Sequence, residues 1–334
     1  MTLHQIDLTG ITGTIIPEEQ LSQIEQLVNW TNEDIQEMRD AIDQINSFNP
    51  HPFSDETFIK AQDLWVRLIS RIPLGFIELN HSHIVRAREL TDKLFSTQDE
   101  ISYPKITWLG RFSFPNAPVF YGAVPHNNSQ SYLLTSMMET CKDITNDACT
   151  RQYFDFCIGR WKLNSPFYVM NLCMDDVHLA NNTWIKGGLA KQLEDLKPVV
   201  NPTNYELIRE FWELLSFFTT VEDPTQTNYF ISSALFASIR SYYQHMRNVQ
   251  INGVIYPSAK TDRVGLNIAL VPEAADEFLS LTDATLFRVQ RGNDIKHFNV
   301  FHYCEPAKAI DGKFTLVPCQ QMLSAGIGRV NPKQ

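Results

Sequence analysis

The sequence predicts a mixed α+β protein: a helical segment over 1–75, an α+β domain over 76–334, and a helical insertion inside that domain at about 175–250. Three observations carry this reading. Apolar residues recur at helical spacing before residue 75, the pattern changes to alternation from about residue 80, and the stretch after 250 holds short apolar runs with glycines between them.

Taken in order, Pro17 to about Trp30 reads as a helix with Leu21, Ile24 and Val28 on one face. Thr31 with Asp34 resembles a capping box, and a second helix follows through Ile35, Met38, Ile42 and Ile45. The NPHPF run at 49–53 stops it, because a residue before proline is driven out of the helical region. Ser54 then caps a third helix, whose apolar residues Phe58, Ala61, Trp65, Leu68 and Ile72 follow the 3.6 period.

From about 80 the texture is that of strands. HSHIVRARELT is a short alternating strand that sends Arg86 and Arg88 to the same side. Residues 92–105 are polar and irregular. Pro118 to Ala123 reads as an apolar strand, and 128–143 as a helix. YFDFCIGRW and FYVMNLC read as paired strands separated by Asn164, Ser165 and Pro166. Thr203 and Glu206 cap a helix that Asp223 and Pro224 end, and a buried helix follows near 226–247. Strands are then expected at 254–256, 266–271, 285–290, 298–303 and 314–317.

Composition narrows the function. Hydrophobic residues at 43% and charged residues at 20% are ordinary for a globular chain of 334 residues, and no apolar run is long enough to span a bilayer. MTLHQIDLTG has neither a basic start nor an apolar stretch, so no secretory signal is read there and a cytoplasmic location is expected. A net charge of −10 argues against nucleic acid as a partner, since phosphate neutralisation needs clustered Lys and Arg. It leaves room for a nucleotide, because a pair of arginines in a cleft holds a diphosphate under an acidic surface. The six cysteines form no CxxC pair and read as free thiols.

The stretch from Trp108 to Cys141 concentrates chemistry: Arg111, a strand ending in Tyr121, and a helix carrying Glu139. A guanidinium offers a rigid fork of donors that fits phosphate oxygens, although a surface arginine does nothing of the kind. Tyr121 is either a packed ring or a platform for a flat heterocycle. On its helix Glu139 falls opposite the apolar stripe Leu133, Leu134, Met137, Met138 and Cys141, together with Thr135 and Lys142, so its face is either solvated or lines a polar cleft. A second segment, GVIYPSAKTDRVGLNIALVP at 253–272, holds Tyr256 and Ser258 on either side of Pro257, and Asn267 in the next strand. No GxSxG elbow surrounds Ser258, so it does not read as a nucleophile. His81 and His83 form an HxH pair without a third ligand at a recognisable spacing, and no metal is expected. GxGxxG and GxxxxGK[ST] are both absent.

The order RAR (86–88), GRFS then APVFYGA (110–123), TSMME (135–139) and GVIYPSA followed by GLN (253–267) resembles the RES domain family, over about 83–272. The resemblance implies a fold similar to ADP-ribosyltransferase toxins, with NAD as substrate. It further implies cleavage of the bond between nicotinamide and ribose by water or phosphate. Carried over, Arg86 and Arg111 bind the diphosphate or the nicotinamide-side ribose, and Tyr121 and Tyr256 frame the nicotinamide. Glu139 then acts on the ribose, Ser258 hydrogen-bonds the ligand, and Asn267 completes the binding set. Two features depart from the family pattern: Ser136 stands where alanine is usual, and the insertion at 175–250 is longer than compact members carry. Transfer of ADP-ribose to a macromolecule, or a scaffold that binds an antitoxin-like protein without catalysis, are the rival expectations. A homodimer is left open.

Overall fold

The computed structural model describes residues 14–15, 29–72, 74–79, 83–103, 109–125, 131–173, 197–198, 200–221, 225–261, 265–292 and 297–329. In chain order the elements are β1 (Thr14–Ile15), α1 (Asn32–Asn46), α2 (Asp55–Arg71), β2 (Phe76–Leu79), β3 (His83–Glu89), α3 (Gln98–Ile101), β4 (Phe120–Ala123), α4 (Ser131–Thr140), β5 (Tyr153–Leu163) and β6 (Phe167–Asn171). Then come α5 (Pro202–Thr220), α6 (Thr227–Arg247), β7 (Ile251–Pro257), β8 (Leu266–Leu270), α7 (Pro272–Phe278), β9 (Leu279–Arg291), β10 (His297–Cys304), β11 (Ala307–Lys308) and β12 (Pro318–Arg329). The class is mixed α+β.

The chain divides into two compact units that interleave along the sequence. One is built from Met1–Leu79, Ile106–Ala117 and Phe167–Tyr256, the other from Asn80–Lys105, Pro118–Pro166 and Pro257–Gln334. The insertion helices α5 and α6 therefore belong with the N-terminal helices. In this first unit Thr31 and Asp34 form the expected capping box, and Ser54 accepts the Thr57 amide at 3.1 Å, so each helix begins where a short polar side chain satisfies an orphan N–H. Trp65 of α2 donates its indole N–H to Ile231 O of α6 at 3.0 Å. Strands β1, β2 and β6 pair antiparallel, and β6 pairs parallel with β7.

The second unit is an antiparallel series in the order β8, β4, β3, β5, β9, β10, β12, with β11 paired to β9. Met137 and Met138 of α4 pack with Val85, Phe154, Phe156 and Phe298 into its core. Burial of that apolar area drives the helix onto the sheet.

Several expectations change. YFDFCIGRW and FYVMNLC become β5 and β6, but they do not pair: β5 lies between β3 and β9, and β6 between β2 and β7. The Asn164–Pro166 turn is a crossing between units rather than a hairpin. Asn201, not Thr203, caps α5, accepting the Asn204 amide at 2.9 Å with Pro202 at the first helical position. FTLV at 314–317 makes no ladder; Phe314 and Leu316 are buried while Thr315 and Val317 face out, and the strand begins at Pro318. Two short helices, α3 and α7, lie where none was expected; their local signals are the Thr97–Glu100 capping box of α3 and Pro272 at the start of α7. The helix expected over Pro17 to about Trp30, and residues His81 and Trp108, fall outside the described residues, Asn29 and Trp30 excepted. Among the described residues no helix is long and apolar enough to cross a membrane.

A buried bond pair supplies a test of the first unit. The Tyr243 hydroxyl donates to Leu74 O at 3.0 Å and accepts from Leu74 N at 3.1 Å, with both residues almost wholly inaccessible. Tyr243→Phe strands a buried amide and a carbonyl, and should lower unfolding free energy by roughly 1–3 kcal/mol in a denaturant titration.

Candidate functional site

Glu139 stands in the last turn of α4, the end where helix carbonyls present negative potential. A carboxylate there is disfavoured by about 0.3–1 kcal/mol, so helix stability does not explain the residue. What holds it is a pair of donors from downstream, one in the turn after β7 and one in β8. Ser258 donates its hydroxyl to Glu139 Oε1 at 2.6 Å, and Asn267 donates its side-chain amide to the same oxygen at 2.9 Å. Hydrogen bonds to a charged group contribute roughly 1.5–3 kcal/mol each, enough to outweigh the helix end.

The two donors are fixed from below. Pro257 ends β7, and the next residue, Ser258, gives its backbone N–H to Gly265 O at 2.9 Å, closing a turn. Asn267, in β8, sits opposite Ala123 of β4. Ser258 is 0% and Asn267 2% exposed, whereas Glu139 is exposed. Buried donors thus clamp one carboxylate oxygen, and among the described residues no donor reaches Oε2. Both clamping groups are neutral, and among the described residues no Lys, Arg or His forms an ion pair with Glu139. The carboxylate is oriented without being neutralised, an arrangement suited to stabilising positive charge that develops beside it.

The turn closes only around glycine. A Cβ built on Gly265 would lie 2.0 Å from Thr135 Oγ1 and 2.7 Å from Thr261 Oγ1. Thr135, expected beside Glu139 on a polar face, is instead fully buried beneath this turn, and its hydroxyl has no hydrogen-bond partner among the described residues. Sequence periodicity missed this because the covering segment lies far down the chain.

The other expected site residues fall as follows. Arg86 in β3 is 7% exposed; its Nε donates to Ile101 O and Ser102 O at 3.2 and 3.0 Å, its Nη1 donates to Tyr121 O, and its guanidinium lies over the Phe120 ring. It ties β3 to β4 and to the end of α3. Tyr121 lies half-buried in β4 opposite Ala269. Arg86, Tyr121, Glu139, Ser258 and Asn267 thus all belong to the second unit, and the last three meet directly. Arg111 and Tyr256 belong to the first unit. There Arg111 Nη1 donates to Thr219 O and Val221 O at 2.7 and 3.0 Å, at the C-terminal end of α5 where a cation is favoured. Its guanidinium lies 5.4 Å from the Tyr229 ring centroid and 5.9 Å from that of Tyr256. His83 packs edge-on to Tyr132, burial lowers its basicity, and among the described residues no group of three His, Cys, Asp or Glu could hold a metal.

Two further residues carry weight that the sequence reading did not assign: the Ser136 and Thr140 hydroxyls of α4 both reach the backbone of Ala87. No family model matches this chain, and no curated protein matches it either.

The contact under Gly265 is testable. Gly265→Ala should destabilise the protein by about 1–3 kcal/mol through overpacking, and adding Thr135→Ala should recover much of that loss in a denaturation double-mutant cycle. Equal, additive effects would show that Thr135 is not what the new methyl meets.

Proposed function

We propose that this chain is an NAD-consuming enzyme of the RES type, with an ADP-ribosyltransferase-like fold in its second unit, acting in the cytoplasm on the bond between nicotinamide and ribose. The observation that carries the reading is the Glu139 carboxylate, clamped through one oxygen by Ser258 and Asn267 and without an ion pair among the described residues. Support comes from the second unit alone; the expected part of Arg111 and Tyr256 in binding NAD adds nothing to it.

The chemistry follows from the charge. The nicotinamide nitrogen of NAD is positively charged, so when the glycosidic bond breaks its electron pair returns to the ring and nicotinamide leaves neutral. No acid has to protonate the leaving group. The positive charge passes to the ribose, which becomes oxocarbenium-like, and an anionic oxygen beside it lowers the barrier. Water then adds to the ribose carbon, losing a proton and giving ADP-ribose, or phosphate adds in its place. Ser258 and Asn267 contribute by fixing the carboxylate before the charge appears, so little reorganisation is needed when the bond breaks.

Exposure of Glu139 favours a second reading, in which a macromolecular nucleophile takes the ADP-ribose. NAD labelled in its adenosine part separates the two, since its label stays on a macromolecule only in the second.

Purified protein incubated with NAD should release nicotinamide. Glu139→Gln keeps the side chain's size and an oxygen for Ser258 and Asn267 but removes its charge, and should lower the rate about 10²–10³-fold. Equal rates from the two proteins would end the proposal. Running the reaction with and without phosphate distinguishes ADP-ribose from its phosphorylated counterpart.

A further inference from the structure

We infer that Ser136, seconded by Thr140, is a positioning residue that sets where Glu139 stands, by replacing a missing piece of the β-sheet. Strand β3 pairs with β5 along its whole length but meets β4 only at Val85, opposite Ala123. Carried two residues on, that register would set Ala87 facing Tyr121. The ladder stops short of this point.

Both strands' backbone groups are taken by side chains instead. Ala87 N–H donates to Ser136 Oγ at 2.7 Å, Thr140 Oγ1 donates to Ala87 O at 3.1 Å while also lying 2.8 Å from Ser136 O, and Tyr121 O accepts from Arg86. Ala87 is 2% and Ser136 5% exposed, so water does not substitute for these partners. Thr140 shares one proton between two carbonyls, which makes the Ser136 bond the firmer of the two. Helix α4 completes the edge of β3 where β4 departs.

Glu139 depends on this because of where the residues fall on the helix. Ser136 and Thr140 are one turn apart on one face, and Glu139 immediately precedes Thr140. Beneath the helix the fully buried apolar side chains are Met137 and Met138, with Leu133, Leu134 and Cys141 packed beside them; such apolar packing carries no hydrogen-bond direction, and that of methionine is adaptable. Such contacts hold a ten-residue helix against a sheet but fix its rotation less sharply than a hydrogen bond does. The bond from the Ala87 amide to Ser136 Oγ supplies that direction. The carboxylate must meet two donors on another segment at 2.6 and 2.9 Å, a tolerance well inside what a small rotation would spoil.

The inference needs the NAD reading only for its kinetic consequence, and the experiment keeps the two apart. The side-chain amide signal of Asn267, assigned by its loss in Asn267→Ala, reports the bond to Glu139 without any substrate. In ¹⁵N spectra it should move in Ser136→Ala toward its position in Glu139→Ala. Ile144→Val, which loosens the same core without touching the brace, should leave it in place. Ser136→Thr, which keeps a hydroxyl, should restore it. Nicotinamide release should fall about 10–100-fold in kcat in Ser136→Ala with KM nearly unchanged, as for a misplaced rather than missing group. An Asn267 signal unmoved in Ser136→Ala overturns the inference whatever the turnover. Absent turnover in the wild type removes the NAD reading and leaves the spectral comparison standing. Should Ser136→Ala fail to fold, Thr140→Val puts the same question from the carbonyl side, with the same signal shift expected and an unmoved signal fatal.

Discussion

The two hydrogen bonds that end on Glu139 Oε1 join segments separated by more than a hundred residues, the helix at 131–140 on one side and the turn after β7 with strand β8 on the other. Everything near them is arranged so that they form. Proline ends β7 and frees Ser258 from the ladder, Gly265 lets the turn settle onto Thr135, and β8 holds Asn267 at a fixed height against β4. Taking any one away leaves a buried hydroxyl or amide aimed at nothing, and such groups cost more unpaired than they contribute when paired.

A sheet that opens between β3 and β4 creates a second demand, because strand edges buried in protein need partners as much as helix ends do. Arg86 answers it from the sheet and Ser136 from the helix. A guanidinium that donates to main-chain carbonyls above an aromatic ring is a brace between the segments it joins. Arg111 is treated alike in the other unit, on the last carbonyls of α5. Both arginines stand out in the sequence, yet the described hydrogen bonds of both guanidinium groups end on main-chain carbonyls of other segments.

What the sequence made legible was what depends on near neighbours. Thr31 and Ser54 announce their helices because a cap and the amides it serves lie within three residues. Glu139 was visible as a carboxylate opposite an apolar stripe. Its partners were weaker signals, and the burial of Thr135 was hidden, since the cover arrives from residue 265. The motif order also disguises the division of the chain, which passes between units at 79/80, 105/106, 117/118, 166/167 and 256/257. Tyr256 and Ser258 look like one motif and belong to different units. Prolines 118, 166 and 257 lie at three of these passages, where a residue lacking an N–H ends a ladder and keeps its predecessor extended. That regularity becomes readable only once the strand partners are known.

Three departures from ordinary local design fall close together on one helix and the loop above it: an acid at the negative end of a helix, a threonine hydroxyl buried without a partner among the described residues, and a glycine where no side chain fits. Each alone lowers stability by an amount a protein tolerates. Their coincidence is the more telling fact, because a sequence under selection for stability alone would exchange the threonine for valine and the acid for a base at little structural cost. Local rules are broken together where something other than folding is being served. Here the departures share one product, a carboxylate oxygen held by Ser258 and Asn267 beside an accessible surface, with no ion pair to it among the described residues.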